Sequence, residues 1–397
     1  MRLFRGLPGT VVVFGLVSLL TDISSEMIYP LLPVFLATTI GAGPAFLGII
    51  EGVAETTAAL VKLYSGAVSD RVASRKGLVL AGYGLSAMAR PLIALAGSAG
   101  QVLAIRFIDR TGKGVRTAPR DALIADTVDE GDRGRAYGFH RSMDHAGALL
   151  GPLIASLILL TVTSDLRTLF LLAAIPGFLA VLLIALRIHD TRTAPPPRPA
   201  TAVLGRLPDG RLRPYLLILF LFTLGNSSDA FLLLKASQAG VPAVRIAQLW
   251  AFFHLIKMLS VMPFGALSDR IGRRWVIVAG WMVYALAYAG FAVATSEAQI
   301  WLLFALYGLF YGFTEGVEKA YVADLSDPAE RGHAFGWFNF AVGAGALPAS
   351  LIFGLIWQWQ GSRAAFFFGS LLAGMAALLL LVNCRGDRAS RGGNDAP

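Results

Sequence analysis

Gly66-Ala67-Val68-Ser69-Asp70-Arg71 reappears 199 residues later as Gly265-Ala266-Leu267-Ser268-Asp269-Arg270. A second set repeats at nearly the same offset: Asp126, Arg133, Gly134 and Gly138 recur 198 residues later as Asp324, Arg331, Gly332 and Gly336. Several patterned positions at one offset mark a duplicated unit. Between the copies lies the longest polar stretch, 188–214, with Pro195-Pro196-Pro197 and Pro199. Proline runs make extended, semi-rigid spacers. The expected organisation is therefore an N-terminal unit over 1–187, a linker over 188–214 and a C-terminal unit over 215–397 with a short tail.

Working outward, the units are membrane-like. Of the 397 residues 56% are hydrophobic and 15% charged, against about a quarter charged in a typical soluble domain. Charges cluster between apolar runs of about 20 residues, the length that crosses a hydrocarbon core. The first run passes Tyr29 and Pro30 without a small-residue cleavage site, so it reads as an uncleaved span. Twelve spans are expected: 10–37, 45–68, 78–97, 101–125, 136–160, 168–186, 215–237, 244–267, 275–294, 299–323, 334–357 and 364–384. With these spans, 20 Lys and Arg fall on one side and only Arg167, Arg245 and Arg363 on the other. The excess of bases on cytoplasmic loops puts both termini in the cytoplasm. It also accounts for the net charge of +9 without nucleic acid. The single cysteine, Cys384, excludes an internal disulfide and a cysteine-cluster metal site.

These residues carry a resemblance. Gly66-x-x-x-Asp70-Arg71-x-x-x-Arg75-Lys76 resembles the loop motif of the major facilitator superfamily, and Gly265-x-x-x-Asp269-Arg270-x-Gly272-Arg273-Arg274 resembles its second-half copy. The first copy departs from the pattern, with Ala73-Ser74 where the family has a glycine. Gly147-x-x-x-Gly151-Pro152 is similar to a motif of the superfamily's proton-driven exporters, and Arg106 to its membrane arginine. The resemblance covers the whole chain and implies an all-α membrane fold of twelve helices in two pseudo-twofold-related six-helix bundles. Parallel repeats of this kind place the substrate near the midplane between them. Helices one, four, seven and ten would line the cavity. Gly66, Gly147, Gly151, Pro152 and Gly265 are expected at close helix contacts. Asp70, Arg71, Asp126, Arg133, Asp269, Arg270, Asp324 and Arg331 would form a cytoplasmic charge network, either gating the inner ends or anchoring loops.

Eleven bases and ten acids fall inside the expected spans. One unpaired charge at mid-membrane costs ~3 kcal/mol on the lenient insertion scale, so they must pair, face a wet cavity or lie near span ends. Arg106, Asp109, Arg110, Lys113, Arg116 and Arg120 recur at three and four residues and share one broad face of the fourth helix. Asp22 and Glu26 share a face of the first. Aligning the halves matches Ser24-Ser25-Glu26 with Ser227-Ser228-Asp229, Glu55 with His254, and Arg120-Asp121 with Glu318-Lys319, whose charge order is reversed. The two dipeptides are candidates for an inner gate across the pseudo-twofold axis, or for independent pairs within each half. His145 and His254 are expected as hydrogen-bonded packing residues.

The expected function is secondary active transport of a small polar or charged solute by alternating access, as proton-coupled export. Asp22, Glu26 and Glu55 are the candidate proton carriers. Arg106, Arg110, Lys113, Asn226, Asp229, Tyr311 and Glu315 are the candidate substrate-cavity residues. Export of a divalent metal (through Asp22, Glu26, Asp229 and His254) or of a drug, and a receptor built on a transporter scaffold, remain alternatives. Thr111-Gly112-Lys113-Gly114 echoes a phosphate-binding loop but lacks the spaced first glycine and the following Ser or Thr. His140-x-x-x-Asp144-His145 has some metal-like ligand content, but Arg141 beside it disfavours a cation. No nucleophile–base pair stands out either, so no cofactor, no resident metal and no enzymatic activity are expected. The expected partners are the solute, protons and lipid, with a monomer in a plasma or bacterial inner membrane.

Overall fold

The computed structural model describes residues 7–69, 72, 74–128, 133–188, 210–326 and 331–383. Among them are twelve helical units, here α1 Gly9–Ile40, α2 Pro44–Ser69, α3 Arg75–Leu95, α4 Ala99–Thr127, α5 Arg133–Thr161, α6 Leu166–Arg187, α7 Leu212–Gln238, α8 Ala243–Ile271, α9 Arg273–Val293, α10 Glu297–Asp324, α11 Arg331–Gln360 and α12 Ser362–Asn383. Each lies within a few residues of an expected span, and no strand occurs among the described residues. Eleven of the units are long and apolar enough to cross a membrane; α4 is long enough, but its charges keep it from qualifying.

Local chemistry sets the boundaries. Ser74, Ser98, Asp165 and Ser296 each accept a backbone N–H of the following first turn, the usual way to satisfy orphan helix donors. Gly272 joins α8 to α9 at φ +98°, a conformation that glycine adopts without cost. Its counterpart in the first half, Ala73, lies outside the described residues. Pro30 and Pro33 tighten α1 into a 3-10 turn over Tyr29–Leu31. α7 is interrupted between Gly225 and Ala230, at the stretch Asn226-Ser227-Ser228-Asp229, and α10 at Glu315-Gly316.

The packing repeats. In the N-terminal half α1 packs on α5 and α6, and α4 on α2 and α3; in the other half α7 packs on α11 and α12, and α10 on α8 and α9. The halves meet along α2–α11 and α5–α8. The basic end, where α1 begins and α12 finishes, carries a second internal match. Arg75 bonds Ser69 Oγ at 3.1 Å and pairs with Asp126 at 2.5 Å. Arg273 bonds Ser268 Oγ at 2.7 Å and pairs with Asp324 at 3.3 Å, and with Asp269 at 2.6 Å. Each half thus ties its own helix ends together. Arg270 is exposed at the end of α8. Asp70, Arg71 and the side chains of Arg133 and Arg331 lie outside the described residues.

At the opposite end the halves touch through backbone. A Cβ on Gly48 would stand 2.3 Å from Ser350 O, on Gly52 2.9 Å from Leu347 Cα, and on Gly354 2.7 Å from Pro44 O. Within the first half, α5 lies as close to α1: a Cβ on Gly147 would meet Leu19 O at 2.7 Å, and one on Gly151, beside Pro152, would meet Ile23 O at 2.9 Å. Gly265 differs from the expectation of a close helix contact. Nothing stands within 4 Å of where its Cβ would be, because it lies toward the basic end, where the halves diverge. The surroundings of Gly66 lie outside the described residues.

Overpacking a tight contact typically costs ~1–3 kcal/mol. Gly147→Leu should therefore lower the thermal unfolding midpoint of the purified protein, while Gly265→Ala, in a helix with open space at its Cβ, should hold or slightly raise it. Equal midpoints for the two variants would contradict the α1–α5 contact.

Candidate functional site

Between the halves, a vestibule of about 1080 Å³ opens toward the basic end, its walls including Lys62, Arg120, Asn226, Glu318, Lys319 and Asn339. Above it lies a polar chamber of about 260 Å³. Asp22, Lys113, Arg116, Arg141, Asp144 and Glu315 border both spaces, so this is where one passes into the other.

The face of α4 that the three- and four-residue spacing picks out does turn inward, and most of its charges are matched. Arg106 pairs with Glu51 of α2 at 2.8 Å and with Asp109 at 3.7 Å. Arg110 lies 3.5 Å from Glu55. The α2 and α4 helices run parallel, and both pairs use a four-residue step, so one helical turn sets two ion pairs in register. Arg90, at the Pro91 distortion of α3, bonds Asp109 at 3.0 Å and donates to Thr21 O at 3.0 Å. All these side chains but Glu55 and Arg110 are among the most buried polar groups of the chain. Such buried pairs are maintained because breaking one strands the other charge.

Arg106 and Arg110, expected as substrate-cavity residues, do border the chamber, and there they are engaged by carboxylates of their own half. Glu55, expected as a proton carrier, is the partner of Arg110. Asp22 has no ion pair among the described residues, and Glu26 accepts the indole N–H of Trp250, on α8 of the other half, at 2.7 Å. Lys113 and Arg116 likewise form no ion pair among the described residues. The Arg116 guanidinium sits 4.2 Å over the ring of Tyr83.

The C-terminal wall is built differently. Asp229, at the break in α7, accepts Tyr307 Oη at 2.5 Å and Tyr311 Oη at 3.2 Å. The ammonium of Lys257 stands 4.2 Å over the Tyr311 ring and 3.2 Å from Glu315. Arg141, on α5, reaches Glu315 at 3.7 Å and Asp144 at 3.1 Å, and Ser18 donates to Asp144. Ser228 donates to Glu51 across the halves at 3.3 Å.

The proposed gate dipeptides do not meet in this conformation. Arg120 turns to its neighbour Asp121 at 2.7 Å, and Glu318 accepts Trp281 Nε1 at 2.9 Å, while Lys319 stands on the vestibule wall. The charged link across the floor of the chamber is Arg141–Glu315 instead. His254 also departs from expectation. Its ring packs edge-on against Trp250, but Nε2 is buried without a hydrogen-bond partner. The residues considered for a divalent cation do not converge, since Asp229 faces two tyrosines and Glu26 a tryptophan.

Arg116, Tyr83, Arg141, Trp250 and Lys257 are the contributions that sequence reasoning missed as site residues. Arg116 was on the basic face already. Arg141 and Lys257 were among the eleven bases inside the expected spans, while Tyr83 and Trp250 carry no spacing that sets them apart from packing residues.

The Major Facilitator Superfamily model matches residues 14–260 and 216–396. The chain is 37% identical to an uncharacterized MFS-type transporter of Methanocaldococcus jannaschii over 95% of each chain. It is 23% identical to the proton-coupled antiporter flippase LtaA of Staphylococcus saprophyticus, over 65% of this chain and 66% of that one. A solved POT family transporter in complex with a thioalcohol-conjugated peptide superposes with a TM-score of 0.80 at 13% identity, covering 96% of each chain. The duplicated loop motif, the twelve helices packed as two matching bundles and the whole-length matches agree: this integral membrane protein belongs to the Major Facilitator Superfamily.

Proposed function

We propose that the chain is a proton-coupled secondary transporter, not an enzyme, that exports a small polar or charged solute by alternating access. The observation that carries this reading is the geometry between the halves. They are sealed by backbone contacts at one end and separated by a charged cavity at the other. At the junction of chamber and vestibule stands Asp22, a carboxylate without an ion pair among the described residues. Rocking the halves about the chamber would close the vestibule and part the α2–α11 contact.

Two bonds that cross between the halves, Trp250 to Glu26 and Ser228 to Glu51, supply the coupling in this reading. Both end on acids, and both depend on how the halves sit. Asp22 and Glu26 are the proton carriers; Glu55 is assigned a structural pairing with Arg110. The relative named as a proton-coupled antiporter supports exchange over uniport. The excess of Lys and Arg at the basic end supports cytoplasmic termini in a plasma or bacterial inner membrane, which makes the structure an inward-open state. The linker over 188–214 would tether the two bundles of a monomer.

Reconstituted in vesicles, the protein should move protons when the solute gradient is applied. Asp22→Asn should remove that proton movement by at least an order of magnitude while leaving the protein folded. Solute-driven exchange that persists in Asp22→Asn would remove this residue as carrier, and ligand binding without any flux would favour a receptor.

Orientation has its own test. With Cys384 replaced by Ser, Asn339→Cys on the vestibule wall should react with a membrane-impermeant maleimide in inside-out vesicles and not in right-side-out ones. Labelling only in right-side-out vesicles would reverse the topology.

A further inference from the structure

We propose that Lys113 and Arg116 form the substrate's oxyanion subsite, taking the carboxylate, phosphate or phosphonate group of an amphoteric solute. This rests on the transport reading and names the chemistry of its substrate. Along the inward face of α4, neutralisation is regular and then stops. Arg106 has Glu51, Arg110 has Glu55, and Arg120 has Asp121. The two bases between Arg110 and Arg120, Lys113 and Arg116, have no carboxylate partner among the described residues.

Arg116 is not snorkelling to water: it is only 5% exposed, and its Nη1 is buried with no hydrogen-bond partner among the described residues. Its position is built: the guanidinium carbon stands 4.2 Å over the centre of the Tyr83 ring. α3 and α4 come close enough that a Cβ on Gly82 would stand 2.7 Å from Arg116 Cβ. Lys113, three residues earlier on the same face, is exposed to the cavity. The two border both chamber and vestibule, on the path a solute would take. A guanidinium fork with a free nitrogen beside a mobile ammonium suits a group with two or three acceptor oxygens.

Asp22 borders the same space and also lacks an ion pair among the described residues, so a bare anion would meet a like charge there. A solute that adds a cationic group satisfies all three. It also makes solute and proton mutually exclusive at Asp22, as exchange requires.

The test is equilibrium binding to the full-length purified protein, with inorganic phosphate and phosphoethanolamine as probes. The wild type should bind phosphoethanolamine more tightly than phosphate. Lys113→Ala should weaken both at least about tenfold, as should Arg116→Lys, which keeps the buried charge but removes the fork. Asp22→Asn should weaken phosphoethanolamine alone. Wild-type affinity for both probes in the Lys113 and Arg116 variants would overturn the subsite, as would a wild type that binds neither at millimolar concentration. Binding is independent of transport. A chain that binds as described but moves no protons keeps the subsite and loses the coupling; one that exchanges protons with affinities indifferent to Lys113 and Arg116 loses the subsite alone.

Discussion

The ion pairs between α2 and α4 are the constraint on which the rest of the structure depends. An α4 that carries Arg106, Asp109, Arg110, Lys113, Arg116 and Arg120 cannot face lipid, where each charge costs ~3 kcal/mol at the centre. Nor can it face a merely apolar bundle. It needs acids at matching height, and Glu51 and Glu55 supply them with the same four-residue step. Asp109 is then held between Arg90 and Arg106. This cross-bracing fixes α2, α3 and α4 as one body, so that what moves is the half and not the helix.

Given rigid halves, the two kinds of contact between them decide the state. Backbone against backbone, as at Gly48–Ser350 and Gly52–Leu347, is either made or lost within a fraction of an ångström. Long charged side chains, such as Arg141 reaching Glu315, tolerate displacement. Putting the first kind at one end and the second at the chamber floor gives a cavity with one firmly shut side and one side that can tighten. The hydrogen bonds from Trp250 and Ser228 to acids of the other half lie between the two regimes; in the proposed cycle, motion of a half would there become a change around a carboxylate.

How far the sequence carried this picture follows from the range of each interaction. The spans were legible to within a few residues because apolar run length is a local property; the caps that set the ends, Ser98 and Ser296 among them, are seen in the structure. The loop repeat made the two bundles legible, since Ser69, Arg75 and Asp126 have counterparts at Ser268, Arg273 and Asp324. Periodicity found the charged face of α4. It was silent on which acids that face would meet, and so assigned Arg106 and Arg110 to substrate and Glu55 to protons. Pairing depends on the relative height of separate helices, which no local pattern encodes. For a related reason the sequence leaves open whether Arg120 and Glu318 pair across the halves or within each: in this conformation Arg120 turns to Asp121 and Glu318 to Trp281, and a contact between halves depends on the conformational state. Gly265 carries the small-residue signature of a helix contact, yet at the open end there is no helix for it to touch.

The duplication itself has kept symmetry in one place and lost it in another. At the basic end the two halves retain the same serine–arginine–aspartate arrangement. In the centre they share little: Asp22 and Glu26 face a wall of aromatics, where Asp229 is held by Tyr307 and Tyr311. The division is physical. The ends of both bundles perform the same task, stiffening the helices that swing, and identical chemistry serves both. In the proposed reading the centre would hold a solute that has no twofold axis: the N-terminal half supplies most of the cations, and the other half supplies Lys257, Tyr307, Tyr311 and Trp250. A symmetric centre would meet a small asymmetric solute with half its polar groups unmatched, and a buried polar group left unmatched is costly.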